Sequence, residues 1–123
     1  MLALSRRLTA ETLGTALLLA VVVGSGIMAE RLSGELGALA LLANTIATGA
    51  GLLALILTFG PISGAHFNPI VSLSEVLLGK LNWQDGLSYS MAQVTGGFVG
   101  VAVAHSMFSE AQTASQLVSH PWF

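Results

Sequence analysis

The chain has 123 residues, of which 54% are hydrophobic and only 8% charged, with a net charge of −2 and a mean hydropathy of +0.81. That composition cannot supply the polar surface of an ordinary soluble domain, so it reads as an integral membrane protein. The small net charge gives no case for nucleic acid as a partner. The absence of cysteine excludes disulfide frameworks, thiolate catalysis and sulfur-ligated metals.

Stretches free of Asp, Glu, Lys and Arg run from Thr12 to Ala29, from Leu36 to Ser74 and from Gly86 to Ser109. A spanning helix needs about 20 mainly apolar residues. The first span is expected over residues 8–28. Arg6 and Arg7 precede it as in a signal peptide, but the apolar run is long and further spans follow, so it is read as retained. Its ionisable group is Glu11, for which two readings stand. An intramembrane carboxylate ordinarily finds a partner inside the bundle, or it snorkels toward Arg6 and Arg7 at the edge.

A polar link, residues 30–35, leads to a second span over residues 36–59, where Ala43, Ala47 and Gly51 align on one helical face. The middle stretch as a whole is too long for one span, and the segment that follows this helix, residues 60–79, holds Gly60-Pro61, His66 and Asn68-Pro69. It is read as a re-entrant loop and half-helix. A third span follows over residues 84–108, with Ala92, Gly96, Gly100 and Ala104 as a stripe of small side chains suited to close helix packing. Trp83 and Trp122 fall at expected membrane interfaces, and the sequence after Phe108 reads as a weakly structured tail.

If the amino terminus is cytoplasmic, Arg6, Arg7 and Lys80 lie inside and Arg31 outside, the arrangement the positive-inside rule favours. The bias is small enough that the reverse insertion costs little.

Asn68-Pro69 is a helix-start signal, since asparagine caps well and proline is pre-organised for the first turn. The half-helix is expected to run to about Leu78 and stop at Gly79. That is about 15 Å, half of a bilayer core, so its amino end reaches the midplane. If the Asn68 oxygen caps Ile70 or Val71, its amide NH2 stays free to donate into a lumen. The helix dipole at the same end disfavours cations. Irregular backbone at this depth is tolerated only against protein or water, so the segment before Asn68, read as extended, offers its carbonyls as a ladder of acceptors. A midplane donor behind a file of acceptors suits a small neutral molecule such as water or glycerol.

Ser63-Gly64-Ala65-His66-Phe67-Asn68-Pro69 resembles the first pore loop of the aquaporin and glycerol-facilitator family of major intrinsic proteins. Ala10-Glu11 through Gly14-Thr15 resembles that family's first-helix motif and Ala92-Gln93 through Gly96-Gly97 its third helix. The resemblance extends over nearly the whole chain. It implies an all-α membrane fold in which these 123 residues are one inverted-repeat half: three transmembrane helices plus one re-entrant half-helix. It further implies a passive channel in the cell membrane, assembled as a tetramer, with no catalytic residues, metal or cofactor.

By the same resemblance, Gly64, Ala65 and His66 line the channel with their carbonyls and Asn68 is the midplane donor. Thr48, twenty residues before Asn68, stands at the second-helix position of the outer filter, where strict water channels carry an aromatic, which hints at solutes beyond water. Leu52 and Leu18 fall at wall positions. Glu11 and Gln93 are expected to hold the loop, with Pro69 and Ser63 as further support. The His66 ring either braces the loop or acts as a donor or proton-sensitive group at the lumen. Glu75 is expected to face water at the mouth.

Two departures from the family pattern stand out. Ile70 occupies the place of the usual alanine after Asn-Pro. The second Asn-Pro-Ala loop and the arginine after it have no counterpart within these residues. The alternatives are therefore a half-channel that pairs with an inverted copy or a separate second-half chain, or an assembly subunit that conducts nothing.

Overall fold

The structure, a computed structural model, describes residues 2–119, with side chains through Ser109. Trp122 and the end of the expected tail lie outside the described residues. The described residues form four helices and no strand: α1 Leu4–Ser33, α2 Gly37–Ser63, α3 Pro69–Leu77 and α4 Trp83–Ser119. Three of them, α1, α2 and the Trp83–Ser109 part of α4, are long and apolar enough to cross a membrane.

The first helix is central, packing against both α2 and α4, while α3 packs on α4. Glycines decide how closely α1 and α4 approach. A Cβ on Gly96 would run into the backbone carbonyl of Thr12, and one on Gly100 into that of Ala16. Those obstacles are main chain and cannot rotate away, so the small stripe on α4 sets the interhelical distance. Ala104 continues it and is fully buried. On α2 the corresponding stripe is only partly used: Gly51 sits against Val21 of α1, whereas Ala43 is exposed.

Two helix ends differ from the sequence reading. The second helix continues through Gly60-Pro61 to Ser63. Pro61 removes one N–H but leaves the rest of the helical pattern intact, and the helix stops where Gly64, at φ 91°, donates its N–H to the Gly60 carbonyl at 2.9 Å. The fourth helix runs on to Ser119. Its distal residues Ala111, Gln112, Ala114 and Gln116 favour helix, and no proline intervenes before Pro121.

The short helix has well-defined limits. Asn68 caps it, with its Oδ1 accepting the Ile70 N–H at 2.9 Å, and Pro69 is its first residue. After Leu78 the chain turns at Gly79 (φ 76°), where the N–H of Gly79 bonds to Val76 O and that of Lys80 to Glu75 O. Nine residues give about 14 Å at 1.5 Å rise. The fourth helix then starts from Asn82, whose Oδ1 accepts the Asp85 N–H at 2.8 Å.

Candidate functional site

Between α2 and α3 lie five residues whose backbone is far from regular. Gly64, Ala65 and Phe67 have φ of 91°, 53° and 56°. The sequence reading of this stretch as extended is therefore corrected: three of its residues are left-handed, two of them without the freedom of glycine. Such residues cost about 1–3 kcal/mol each and persist only where the surroundings over-determine them.

The Glu11 carboxylate over-determines them. It is fully buried on α1, which settles its position in favour of the bundle interior over the snorkelled edge. Its Oε1 accepts the Ser63 hydroxyl at 2.6 Å and the His66 N–H at 3.0 Å. Its Oε2 accepts the Phe67 N–H at 2.8 Å and Gln93 Nε2 at 2.9 Å. The Ala65 N–H bonds to Ser63 Oγ at 3.2 Å. Two successive loop N–H groups thus bond to α1 directly, and the one before them bonds to the Ser63 hydroxyl that itself donates to Glu11. The carbonyls of Gly64, Ala65, His66 and Phe67 receive no hydrogen bond from the described residues. A carboxylate that accepts four donors is a strong anchor, because bonds to an ionised group contribute about 1.5–3 kcal/mol each.

Two further layers hold the loop. The Phe67 ring, 4% exposed, fills the space that the missing side chain of Gly14 leaves and meets Phe59 edge-on at 6.2 Å between centroids. On the other side, Ser72 on α3 is fully buried, accepts Gln93 Nε2 at 3.0 Å and lies 2.9 Å from His66 Nδ1. The His66 ring stacks at a tilt on Tyr89, 5.0 Å away. Tyr89 donates its hydroxyl to the Ser63 carbonyl at 2.8 Å and accepts Arg7 Nε at 3.0 Å, and Arg7 pairs with Asp85 at 3.3 Å. A continuous polar chain therefore runs from Asp85 at the end of the bundle to the loop backbone.

The structure brings Glu11, Ser63, His66 and Gln93 into one buried network. Pro69 and Ile70 stand at the exposed amino end of α3, with Ile70 67% exposed and Asn68 exposed beside it. Asn68 spends its oxygen on the cap, and its amide nitrogen has no partner among the described residues. Gly64 is exposed and Ala65 half-buried. Leu18, Thr48 and Leu52 are half-buried on α1 and α2 and do not touch the network through a hydrogen bond. Below the loop is a cavity of about 450 Å³ whose wall includes Arg7, Ser63, Gly64, His66, Tyr89 and Lys80. Glu75 also borders it.

Sequence reasoning missed Ser72, Tyr89 and Arg7. Ser72 and Tyr89 had a signal of a kind, as polar side chains inside apolar helices at the level of Glu11 and Gln93. Among the described residues two buried atoms, Thr15 Oγ1 and Gln93 Oε1, have no hydrogen-bond partner.

Comparison with known proteins agrees with this architecture. The family described as major intrinsic protein matches residues 1–121. The aquaglyceroporin AqpS of Rhizobium meliloti (strain 1021) is 58% identical over 105 residues, which cover 85% of this chain and 45% of that protein. Aquaporin Z of Brucella melitensis biotype 1 is 37% identical over 103 residues, covering 84% of this chain and 44% of that protein. Aquaporin-10 of Milnesium tardigradum is 33% identical over 108 residues, 88% of this chain and 26% of that protein. The chain thus spans less than half the length of these relatives.

Proposed function

The chain belongs to the major intrinsic protein family, and on that premise we propose that it supplies one repeat of a channel for passive flow of water and small uncharged solutes such as glycerol. The observation that carries this reading is the division of labour at Asn68. Its oxygen is held by the Ile70 N–H, so its NH2 is an oriented donor at the positive end of α3. Just before it, four carbonyls without a partner among the described residues offer acceptors to whatever passes. A neutral solute can use both, whereas a cation meets the positive end of the helix and a chain of protonated waters is broken by the donor.

In this reading Gly64, Ala65 and His66 line the path with main-chain oxygens, and Thr48, Leu52 and Leu18 form its wall. Ile70 shapes the midplane in place of a smaller side chain. Glu11, Gln93, Ser63 and Pro69 hold the loop, and the His66 ring braces it against Ser72 and Tyr89. No step is chemical, so the protein acts as a pore and not as an enzyme.

The exposed apolar side chains of α3, Ile70, Leu73 and Leu77, call for an inverted second half, either in the same polypeptide or in a second chain. By family likeness the complete pores assemble as tetramers in the cell membrane. The amino terminus is cytoplasmic in this proposal. Arg7 and Lys80 border one cavity while Arg31 lies at the far end of α1, which supports the orientation the positive-inside rule favours.

The test is reconstitution of the full-length protein into vesicles, with glycerol uptake followed by light scattering and proton entry by an internal pH dye. Glycerol uptake above protein-free vesicles with no added proton leak is expected. Proton entry that rises with protein content would overturn the exclusion of ions.

A further inference from the structure

Away from the pore loop, a second polar arrangement lies between α1 and α2. Ser25 Oγ donates to Asn44 Oδ1 at 2.8 Å, the shorter of its two contacts, the other being Val22 O at 3.3 Å, and Thr48 Oγ1, one turn along α2, lies 3.5 Å from the same Asn44 oxygen. Thr45 and Thr58 on this helix instead bond to the carbonyl four residues back, at 2.7 Å each. Thr48 makes no such bond. The carboxamide packs beside Gly26 of α1, its atoms 3.6–3.8 Å from where a Cβ would stand, an ordinary contact distance.

The short contact with Ser25 turns Asn44 Oδ1 toward α1 and so orients the carboxamide. Its Nδ2 and two N–H donors have no partner among the described residues. Asn44 is half-buried, while Leu41, Leu42, Thr45 and Ile46 around it are exposed, so it stands on the inner face of α2 together with Thr48. An amide facing hydrocarbon costs several kcal/mol, and polar side chains in spanning helices face a bundle interior or a water-filled path. Ser25 is eleven residues beyond Gly14 on α1. At 1.5 Å rise that places the pair about 16 Å from the Phe67 layer, toward the opposite end of the path.

We propose that Asn44, locked by Ser25, is a specificity-determining residue that donates an N–H to the hydroxyl oxygens of a small polyol as it passes Thr48. The inference rests on the channel reading given above. The Thr48 hydroxyl, 3.5 Å from Asn44 Oδ1, has lone pairs to offer a solute, while Asn44 Nδ2 has hydrogens. A donor and an acceptor thus stand one helical turn apart on one wall. Water reorients freely and loses little if either is removed. A carbon-bearing solute has fixed hydroxyls and depends on both.

The test measures water and glycerol permeability of the full-length protein in proteoliposomes for wild type, Asn44→Leu and Ser25→Ala. Asn44→Leu removes the donor at similar volume, and Ser25→Ala keeps the amide but releases its orientation. The glycerol-to-water permeability ratio is expected to fall about fivefold in Asn44→Leu, as expected for one lost hydrogen bond, and about twofold in Ser25→Ala. An unchanged ratio in Asn44→Leu overturns the proposal. So does a parallel loss of both permeabilities, which would make the pair a strut between helices. Wild-type vesicles that pass water no faster than protein-free ones would instead reject the channel reading itself.

Discussion

Glu11 accepts the backbone N–H of Phe67 at 2.8 Å, so a carboxylate on the first helix fixes a loop residue 56 positions later in a left-handed conformation. In Glu11→Gln one carboxyl oxygen becomes an NH2, which then faces N–H donors. At least one loop N–H then loses its acceptor, because the Ser63 hydroxyl can turn to accept from the new NH2 but a backbone N–H cannot. A loss of about 2–4 kcal/mol in stability is expected, together with reduced flux. Melting in detergent and osmotic shrinkage of vesicles measure the two effects, and wild-type values in both would remove Glu11 from its supporting role.

Phe67 and Gly14 form a second dependence. A methyl group at position 14 would overlap the Phe67 ring, so Gly14→Ala is expected to destabilise by about 1–3 kcal/mol. Shortening the ring with Phe67→Leu should recover part of that loss in the double variant. Strictly additive losses would show that the two residues do not meet as described.

The α1/α4 seam gives a contrast between neighbours. Gly96→Ala sets a methyl group against the Thr12 carbonyl, whereas nothing lies within 4 Å of a Cβ on Gly97. Gly96→Ala is expected to lower the yield of folded protein severely, and Gly97→Ala to leave it unchanged. Equal behaviour in size-exclusion profiles would contradict the packing.

Thr15 carries a buried hydroxyl with no partner among the described residues. Thr15→Val keeps the shape and removes the unmet group, so an increase in stability of about 1–2 kcal/mol is expected. A clear decrease in melting temperature would mean that the hydroxyl is satisfied in the folded protein.

Much of this organisation was legible in the sequence because it rests on local rules. Asn68-Pro69 announces a capped helix, Gly79 its end, and an uncharged stretch of the length of Leu36 to Ser74 cannot be one span. Glu11 and Gln93 stood out because polar groups inside apolar helices need partners. The left-handed conformations of Ala65 and Phe67 were not legible, since neither residue type prefers them and the force that imposes them comes from α1. Tyr89 and Ser72 escaped for the same reason: their partners, Ser63 and His66, are set by how helices pack. Gly60-Pro61 misled in the other direction, since a helix already held on both sides tolerates the loss of one N–H.

The central claim, that Asn68 is an oriented donor in a path for neutral solutes, is tested most directly by Asn68→Asp in proteoliposomes. Aspartate can still accept the Ile70 N–H and so keeps the cap, but it has no NH2 to donate. Wild-type vesicles are expected to pass water and glycerol faster than protein-free vesicles, and Asn68→Asp vesicles with the same protein content to lose about tenfold of that glycerol flux. Undiminished glycerol flux through Asn68→Asp would contradict the account.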